Sequence, residues 1–471
     1  MGQPPLHGAR IIEDDSGARP IRTVSSAVIG IAFTAPDAEP ATTASLTVGT
    51  GDSGLTFAAQ TTGAQGNALA VRFVNPQAND AALAVSVIGQ VISVSLATNA
   101  SGSVVTTADD VKTAIEGNTE AAGMVAVTLT GNGSGAVDAE PLAYFTGGQD
   151  EPFPLNKPVS FTANARQKLA KMGTTGTGPW IIPLIARYGG HLIVGVRVAD
   201  GGTEQQTRAN IAGSASALTG IWALLKAQTV TGYTPRIIGA PGFTQDQSVA
   251  NEVIAATKRL NGYCYIDCVN QVTEENALAY RKQFGSEFGM LLHTWWRERT
   301  ANGGEVQRPL STYMLGARAR QDIQRGWHWV VSNTPVEGGL GPVIDVDFKL
   351  NDPATLANRL NQNHITTVVN TGAGYVFWGC RSMIDDPKKV FENWGRAKGI
   401  IYDSLIGAHQ WAMDRNITST YTSDVQEGVQ NFLDRLKAGQ YIIDGECWVD
   451  EEMNTPDSIA LGQFYWDFDY M

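Results

Sequence analysis

The stretch GTGDSG, Gly49 to Gly54, fits two catalytic patterns at once. As GxGxxG it would cradle a pyrophosphate between a strand and a following helix. The residues that follow, LTFAAQTT, alternate like a strand instead, and that context excludes a dinucleotide loop. As GDSG it would present Ser53 as a nucleophile, which needs a histidine and an aspartate upstream. Only His7 precedes Ser53, so a turn between strands is expected. His7, His191, His293, His328, His364 and His409 are scattered, none beside a nucleophile. Cys264 and Cys268, in CYIDC, share one face of a strand. With no second cysteine pair or neighbouring histidine, they read as buried filler rather than a metal clip. There is no Walker loop and no HExxH pair. These residues argue against an enzyme and imply no cofactor and no metal.

Three other groups suit binding. GWHWVVSN, Gly326 to Asn333, sets Trp327 and Trp329 on one strand face, either as an aromatic platform for sugars or as core packing. Asp386-Pro387 reads as a helix opening, an N-cap followed by proline in the first turn. Lys388 and Lys389 then place positive charge at the positive end of the helix dipole, at about 0.3–1 kcal/mol each. Arg396 lies two turns on and Lys398 close by, so the helix presents either a solvated face or a basic docking face. Finally, GQFYWDFDYM, Gly462 to Met471, alternates: Phe464, Trp466, Phe468 and Tyr470 fall on one side, Asp467 and Asp469 on the other. An aromatic strand with an open edge invites pairing. It either folds back into its own sheet or is meant for a neighbour.

The elements that must position these residues follow from pattern and composition. At 471 residues the chain has room for several domains. A formal charge of −12 leaves no nucleic-acid footprint. The longest uncharged run, Ala81 to Ala108, is interrupted by polar residues and does not span a membrane. MGQPPLHGAR is not a signal peptide, and four cysteines make no disulfide framework, so folding in a reducing cytoplasm is expected. All eleven tryptophans follow residue 150. Between Thr42 and Asp150, acidic residues outnumber basic ones, Arg72 and Lys112, by seven. That stretch reads as strands LTFAAQTT, ALAVRFV, ALAVSVIGQVISVSLAT and MVAVTLTG with a helix near DDVKTAIEGN, a mostly β domain inserted into another fold. VSSAVIGIAFTAP before it is a buried strand. After it, HLIVGVRVA, PRIIGAP, CYIDCV and GMLLHTWW alternate with helical ANIAGSASALTGIWALLKAQ, QDQSVANEVIAATKRL and EENALAYRKQFG, which predicts an α/β core. A long helix from Pro387 to Arg415, a second in DVQEGVQNFLDRLKAG and closing strands predict an α+β C-terminal part.

Several of these segments together resemble the tail sheath proteins of contractile-tailed bacteriophages and related contractile injection particles. They are HGARIIEDDSGARPIRTVSSAVIGIAFTAP, TGIWALLKAQTVTGYTPRIIGAPGF, GWHWVVSNTPVEGGLG and, most closely, GYVFWGCRSMIDDPKKVFENWGRAKGIIYDSLIGAHQWAMDRNIT. The resemblance covers about 1–41 and 151–471. Members usually continue past the acidic-aromatic strand into a short Pro-rich tail, where this sequence stops at Met471.

The resemblance implies an α/β core with an α+β C-terminal domain, an inserted mostly-β domain and extended N- and C-terminal arms. The expected layout is an N-terminal arm 1–23, a first core strand 24–41, an outer inserted domain 42–150, a core 151–340, a tube-facing domain 341–461 and an arm strand 462–471. It implies hexameric rings stacked as a helical sleeve, which contracts to drive a tail tube through the host envelope. Partners would be other copies, the tube protein, and baseplate and tail terminator proteins, in a virion assembled in the host cytoplasm. Nucleic acid and direct membrane insertion are not implied. Arms carrying Arg10, Ile11, Ile12, Ile21, Phe464, Trp466, Phe468 and Tyr470 would add strands to neighbouring copies, and Lys388, Lys389, Arg396 and Lys398 would face the tube. The alternative reading is a surface carbohydrate-binding protein or enzyme built on Trp327 and Trp329.

Overall fold

The computed structural model describes residues 21–300 and 302–471. The chain forms two compact units: one of the residues up to Thr34, Leu155–Ala165 and Gly176–Met471, the other of Ala35–Pro154 and Arg166–Thr175.

The larger unit is built on an eight-stranded sheet. Its strands are β1 (Ile29–Thr34), β2 (Pro158–Thr162), β3 (Leu192–Val198), β4 (Ile237–Gly239), β5 (Tyr263–Asp267), β6 (Gly289–Leu292), β7 (Ile365–Asn370) and β8 (Tyr375–Trp378). The spatial order is β8-β7-β6-β5-β4-β1-β3-β2. The middle strands from β7 to β3 run parallel, and β2 and β8 close the two edges antiparallel. Every residue of β1, β5 and β6 is buried, which is why these strands read as short apolar runs without alternation. Helices α1 (Gln247–Arg259) and α2 (Glu274–Arg281) cover one face. Asp246 caps α1 by accepting from Ser248 N and Val249 N, and Lys258 and Arg259 complement its other end. Cys264 and Cys268 lie in this core, fully buried and unpaired.

Three sequence expectations need correction. ANIAGSASALTGIWALLKAQ is not one helix: Glu204–Ala212 ends at Gly213, whose φ of +66° only glycine tolerates easily, and the chain resumes as a 3-10 turn at Gly220–Lys226. A Cβ on Gly213 would sit 2.0 Å from Thr219 O, so the break is fixed by close backbone approach. The long helix does not open at Pro387. Asp386 Oδ1 accepts from Lys388 N at 2.9 Å, closing a turn over Pro387–Lys389, and α4 runs Glu392–Ala408. The expected boundary at 340/341 does not divide the molecule, because β7 and β8 belong to the core sheet. A helix that the periodicity did not single out, α3 (Leu310–Gln324), is buried along nearly its whole length. Its first turn is capped from outside, Asp267 Oδ1 accepting from Ser311 N at 2.9 Å.

The smaller unit has a three-stranded antiparallel sheet, Thr43–Val48, Leu55–Thr62 and Val125–Leu129, and a four-stranded mixed sheet. Helix Ala108–Gly117 has a capping box between Thr107 and Asp110. GTGDSG is the turn between the first two strands, and Ser53 Oγ donates to Thr50 O. The buried core runs from Ala44 to Phe145 around Phe57, Phe73 and Phe145. The unit also takes in Asp37, which accepts from Thr174 N at 2.8 Å and Thr175 N at 3.0 Å.

Candidate functional site

The C-terminal part of the larger unit gathers most of the residues singled out by the sequence. α4 packs on α5 (Ser419–Ala438), which opens at Thr418, whose side chain accepts from Tyr421 N. Val429, Phe432, Leu433 and Leu436 fall on one helical face and bury against Ile400, Ile401 and Leu405 of α4. On this base lies an antiparallel ribbon of β9 (Gly445–Val449) and β10 (Trp466–Tyr470), in register from Gly445↔Tyr470 to Val449↔Trp466.

β10 pairs with β9 of its own chain, and its aromatics pack against α4 and α5. Tyr470 stacks on Trp394 at 5.3 Å, Phe468 meets Tyr402 edge-on at 5.9 Å and Trp466 meets Tyr421 at 6.0 Å. Phe464 lies 4.6 Å from the Trp466 ring. Trp466 Nε1 donates to Thr422 O. The connection Asp450–Tyr465 makes this return geometrically easy, since Asn454 both donates to Tyr465 O and accepts from Tyr465 N. Asp467 and Asp469 face outward with Glu446 and Trp448.

The two edges of the ribbon differ. On β9, the outward backbone groups of Gly445 and Cys447 are met by α5: Gln426 Nε2 donates to Cys447 O, Gln430 Nε2 donates to Gly445 O, and Cys447 N donates to Gln430 Oε1. On β10, alternation turns the N–H and C=O of Trp466, Phe468 and Tyr470 outward. Among the described residues no side chain bonds these groups. A groove of about 700 Å³ opens beside them, lined by Leu405, Ile406, Met413, Tyr421, Phe464, Trp466 and Phe468.

The N-terminal arm residues Arg10, Ile11 and Ile12 lie outside the described residues. Ile21, expected on another copy, is buried in its own α4–α5 core. Arg435 Nη2 donates to Ile21 O at 2.6 Å and Val24 N to Ser404 Oγ at 3.0 Å.

The four cations do not share a face. Lys388 is exposed, and Lys389 pairs with Asp386 at 3.5 Å. Lys398 is partly buried against Glu287 at 2.7 Å. Arg396 is buried and ion-paired to Asp322 of α3, so a tube-facing role for it is corrected: it belongs to the interior. That interior cluster joins α3, α4 and β5. Arg318 binds Asp322 at 2.6 Å and Glu392 at 3.3 Å, and Glu392 accepts from Tyr265 Oη and Val331 N. Burial alone would pull the Arg318 guanidinium down, but Asp322 and Glu392 outweigh it and hold it above its ordinary value. A second tie joins Arg236 to Asp403, which also accepts from Asn261 Nδ2.

Trp327 and Trp329 make no platform. They sit in a turn rather than a strand, Trp327 buried and stacked on Tyr441, Trp329 exposed beneath Arg325. Among the described residues no group of His, Cys, Asp or Glu could hold a metal ion, and no helix is long and apolar enough to cross a membrane.

A family model described as the phage tail sheath protein central domain matches residues 216–383. The chain is 34% identical over 333 residues to the tail sheath protein of Escherichia phage P2, covering 68% of this chain and 83% of that one. It is 33% identical over 326 residues to the major tail sheath protein of Serratia phage KSP20, covering 68% and 82%. Its fold is similar to that in a solved structure, the PVC sheath complex of an extracellular contractile injection system in the contracted state. There the TM-score is 0.51 at 14% identity, over 68% of this chain and 84% of that chain. With a relative this similar over most of its length, the chain belongs to the phage tail sheath protein family.

Proposed function

We propose that the chain is the repeating subunit of a contractile sleeve, with a structural rather than a catalytic role. Copies form hexameric rings that stack around a tail tube, and contraction drives the tube through the host envelope. The observation that carries this is the β9–β10 ribbon: an aromatic strand with one exposed backbone edge, mounted on two packed helices, of which α4 is tied to the core by buried charges. Such an edge takes up an extended segment through main-chain hydrogen bonds, and terminal segments of other copies, Arg10, Ile11 and Ile12 among them, are its proposed source. The tie through Arg318, Asp322, Glu392 and Arg396 suits a subunit that moves as one body. Lys388 and Lys389 are the cations proposed to meet the tube. Baseplate and terminator proteins would complete the tail, in a virion assembled in the host cytoplasm, and residues 42–150 would decorate the outer surface.

Negative-stain microscopy of the purified full chain tests this: polymers support a sleeve, and a discrete small oligomer at every concentration overturns it. Lys388→Glu with Lys389→Glu should weaken assembly on tubes while tube-free polymers persist. Unchanged assembly on tubes removes these lysines from the interface.

A further inference from the structure

We infer that the outer face of the β9–β10 ribbon is a cation-docking face for a second copy of this chain, which meets it with the edge where α1 and α2 end. This rests on the sheath-subunit reading and adds to it a contact between folded bodies. The ribbon face away from α4 and α5 carries Glu446 and Trp448 from β9 and Asp467 and Asp469 from β10, all exposed. The register sets Glu446 directly opposite Asp469 and Trp448 opposite Asp467. Like charges in opposite positions repel. Among the described residues no cation pairs with these three carboxylates, and the nearby Lys437 pairs with Asp444 at 2.9 Å instead. Trp448 stands among them, 39% exposed. An indole bordered by carboxylates suits an arginine or lysine side chain, held by the ring face and by charge together.

The source of the cations follows from how charge is divided along the chain. Residues 419–471 hold 11 acidic residues and 2 basic ones, whereas the rest of the described larger unit holds 20 and 25. One copy is thus negative at its C-terminal part and positive in its body, so two copies attract head to tail. Such a contact is heterologous and repeats into a polymer. In a parallel sheet the helices returning to the next strand end at the strands' amino edge. There Lys258 and Arg259 close α1 and Lys282 follows α2. All three are exposed and, among the described residues, make no ion pair.

The test needs no tube. Unlabelled and isotope-labelled full chains are mixed at low salt, coupled with a carbodiimide and read by mass spectrometry. Amide crosslinks from Glu446, Asp467 or Asp469 to Lys258 or Lys282 should form with one label from each copy, and be lost as salt screens the contact. Crosslinks confined to one label, or leading only to other lysines, overturn the docking. Two variants test it without coupling: Glu446→Lys with Asp469→Lys, and Lys258→Glu with Lys282→Glu. All four positions are exposed, so both chains should melt as the native one does. Alone, each should lose the self-association that sedimentation reads in the native chain, and mixed in equal amounts they should regain it. Variants that associate alone as the native chain does, or folded variants whose mixture stays apart, overturn the proposal. If the ribbon variant polymerises freely and fails only on tubes, the face belongs to the tube, and the second copy is wrong as its occupant. If the contact behaves as described but no condition yields sleeves, the docking face stands and the sheath-subunit reading fails.

Discussion

Arg396 ends a line of buried charges that runs through Asp322 and Arg318 to Glu392. Asp322 takes both Arg318 and Arg396, and Glu392 takes Arg318, Tyr265 and a backbone amide, all of them buried. Truncating one partner leaves a charge that neither solvent nor protein neutralises, at about 3–5 kcal/mol. Arg396→Leu or Glu392→Gln should therefore lower the urea midpoint of the soluble subunit strongly. Lys388→Glu, on an exposed turn, should stay within about 0.5 kcal/mol. Comparable losses from both would remove the line from the stability argument. A second residue-scale prediction concerns pH. Burial pushes the Asp267 carboxyl up to about 6 and the His293 imidazole down to about 4. A carboxyl of this kind contributes stability in its protonated form below about pH 4, and loses it as pH rises through 6. The histidine does the reverse: its contribution is present above about 6.5 and lost as pH falls through 4. The two slopes oppose between those limits. Asp267→Asn removes the first, so the variant should gain on the native chain from pH 4 to 6, by roughly 3 kcal/mol at the upper end. Parallel stability curves from urea melts across that range would count against it.

α4 is placed by what it lacks. A Cβ on Gly395 would stand 2.4 Å from Glu287 O, and one on Gly399 2.1 Å from Asn261 O, so the helix lies directly on two backbone segments of the core. Gly399→Ala improves helix propensity by about 1 kcal/mol but forces the helix off its seat, at about 1–3 kcal/mol or more. The net should be a lower melting temperature; a rise would show that α4 has room to shift. Trp466→Ala should also destabilise the isolated subunit, by about 1–3 kcal/mol, since its ring is half-buried on α5. The elements divide by how their burial is distributed. β1, β5 and β6 were legible because strands buried on both faces concentrate apolar residues into short runs. α3 was not, because a helix buried all round, with Arg318 and Asp322 among its interior residues, carries no polar stripe to mark its period. The site divides similarly. The alternation of β10 is local and could be read. Its partner β9, the glutamines that close the far edge and the burial of Arg396 all depend on contacts between residues distant in sequence.

At the scale of the whole chain, the smaller unit carries its own interior. Its core residues all fall between Ala44 and Phe145, and the segment is closed at its base by the bridge Thr42↔Gln149, with Thr42 N donating to Gln149 O at 2.9 Å. Replacing Thr42–Asp150 by a short Gly/Ser linker should leave a chain that folds with one sharp thermal transition and still forms sleeves under the microscope. A folded product unable to polymerise would make the segment part of the lattice instead of its decoration. The same base has a practical meaning. Entry and exit lie about one strand spacing apart, which makes the position a socket: a foreign domain whose two ends are equally close should seat there without straining its host. Each copy would then carry one passenger, and a sleeve of such copies would become a display rod with one passenger per repeat.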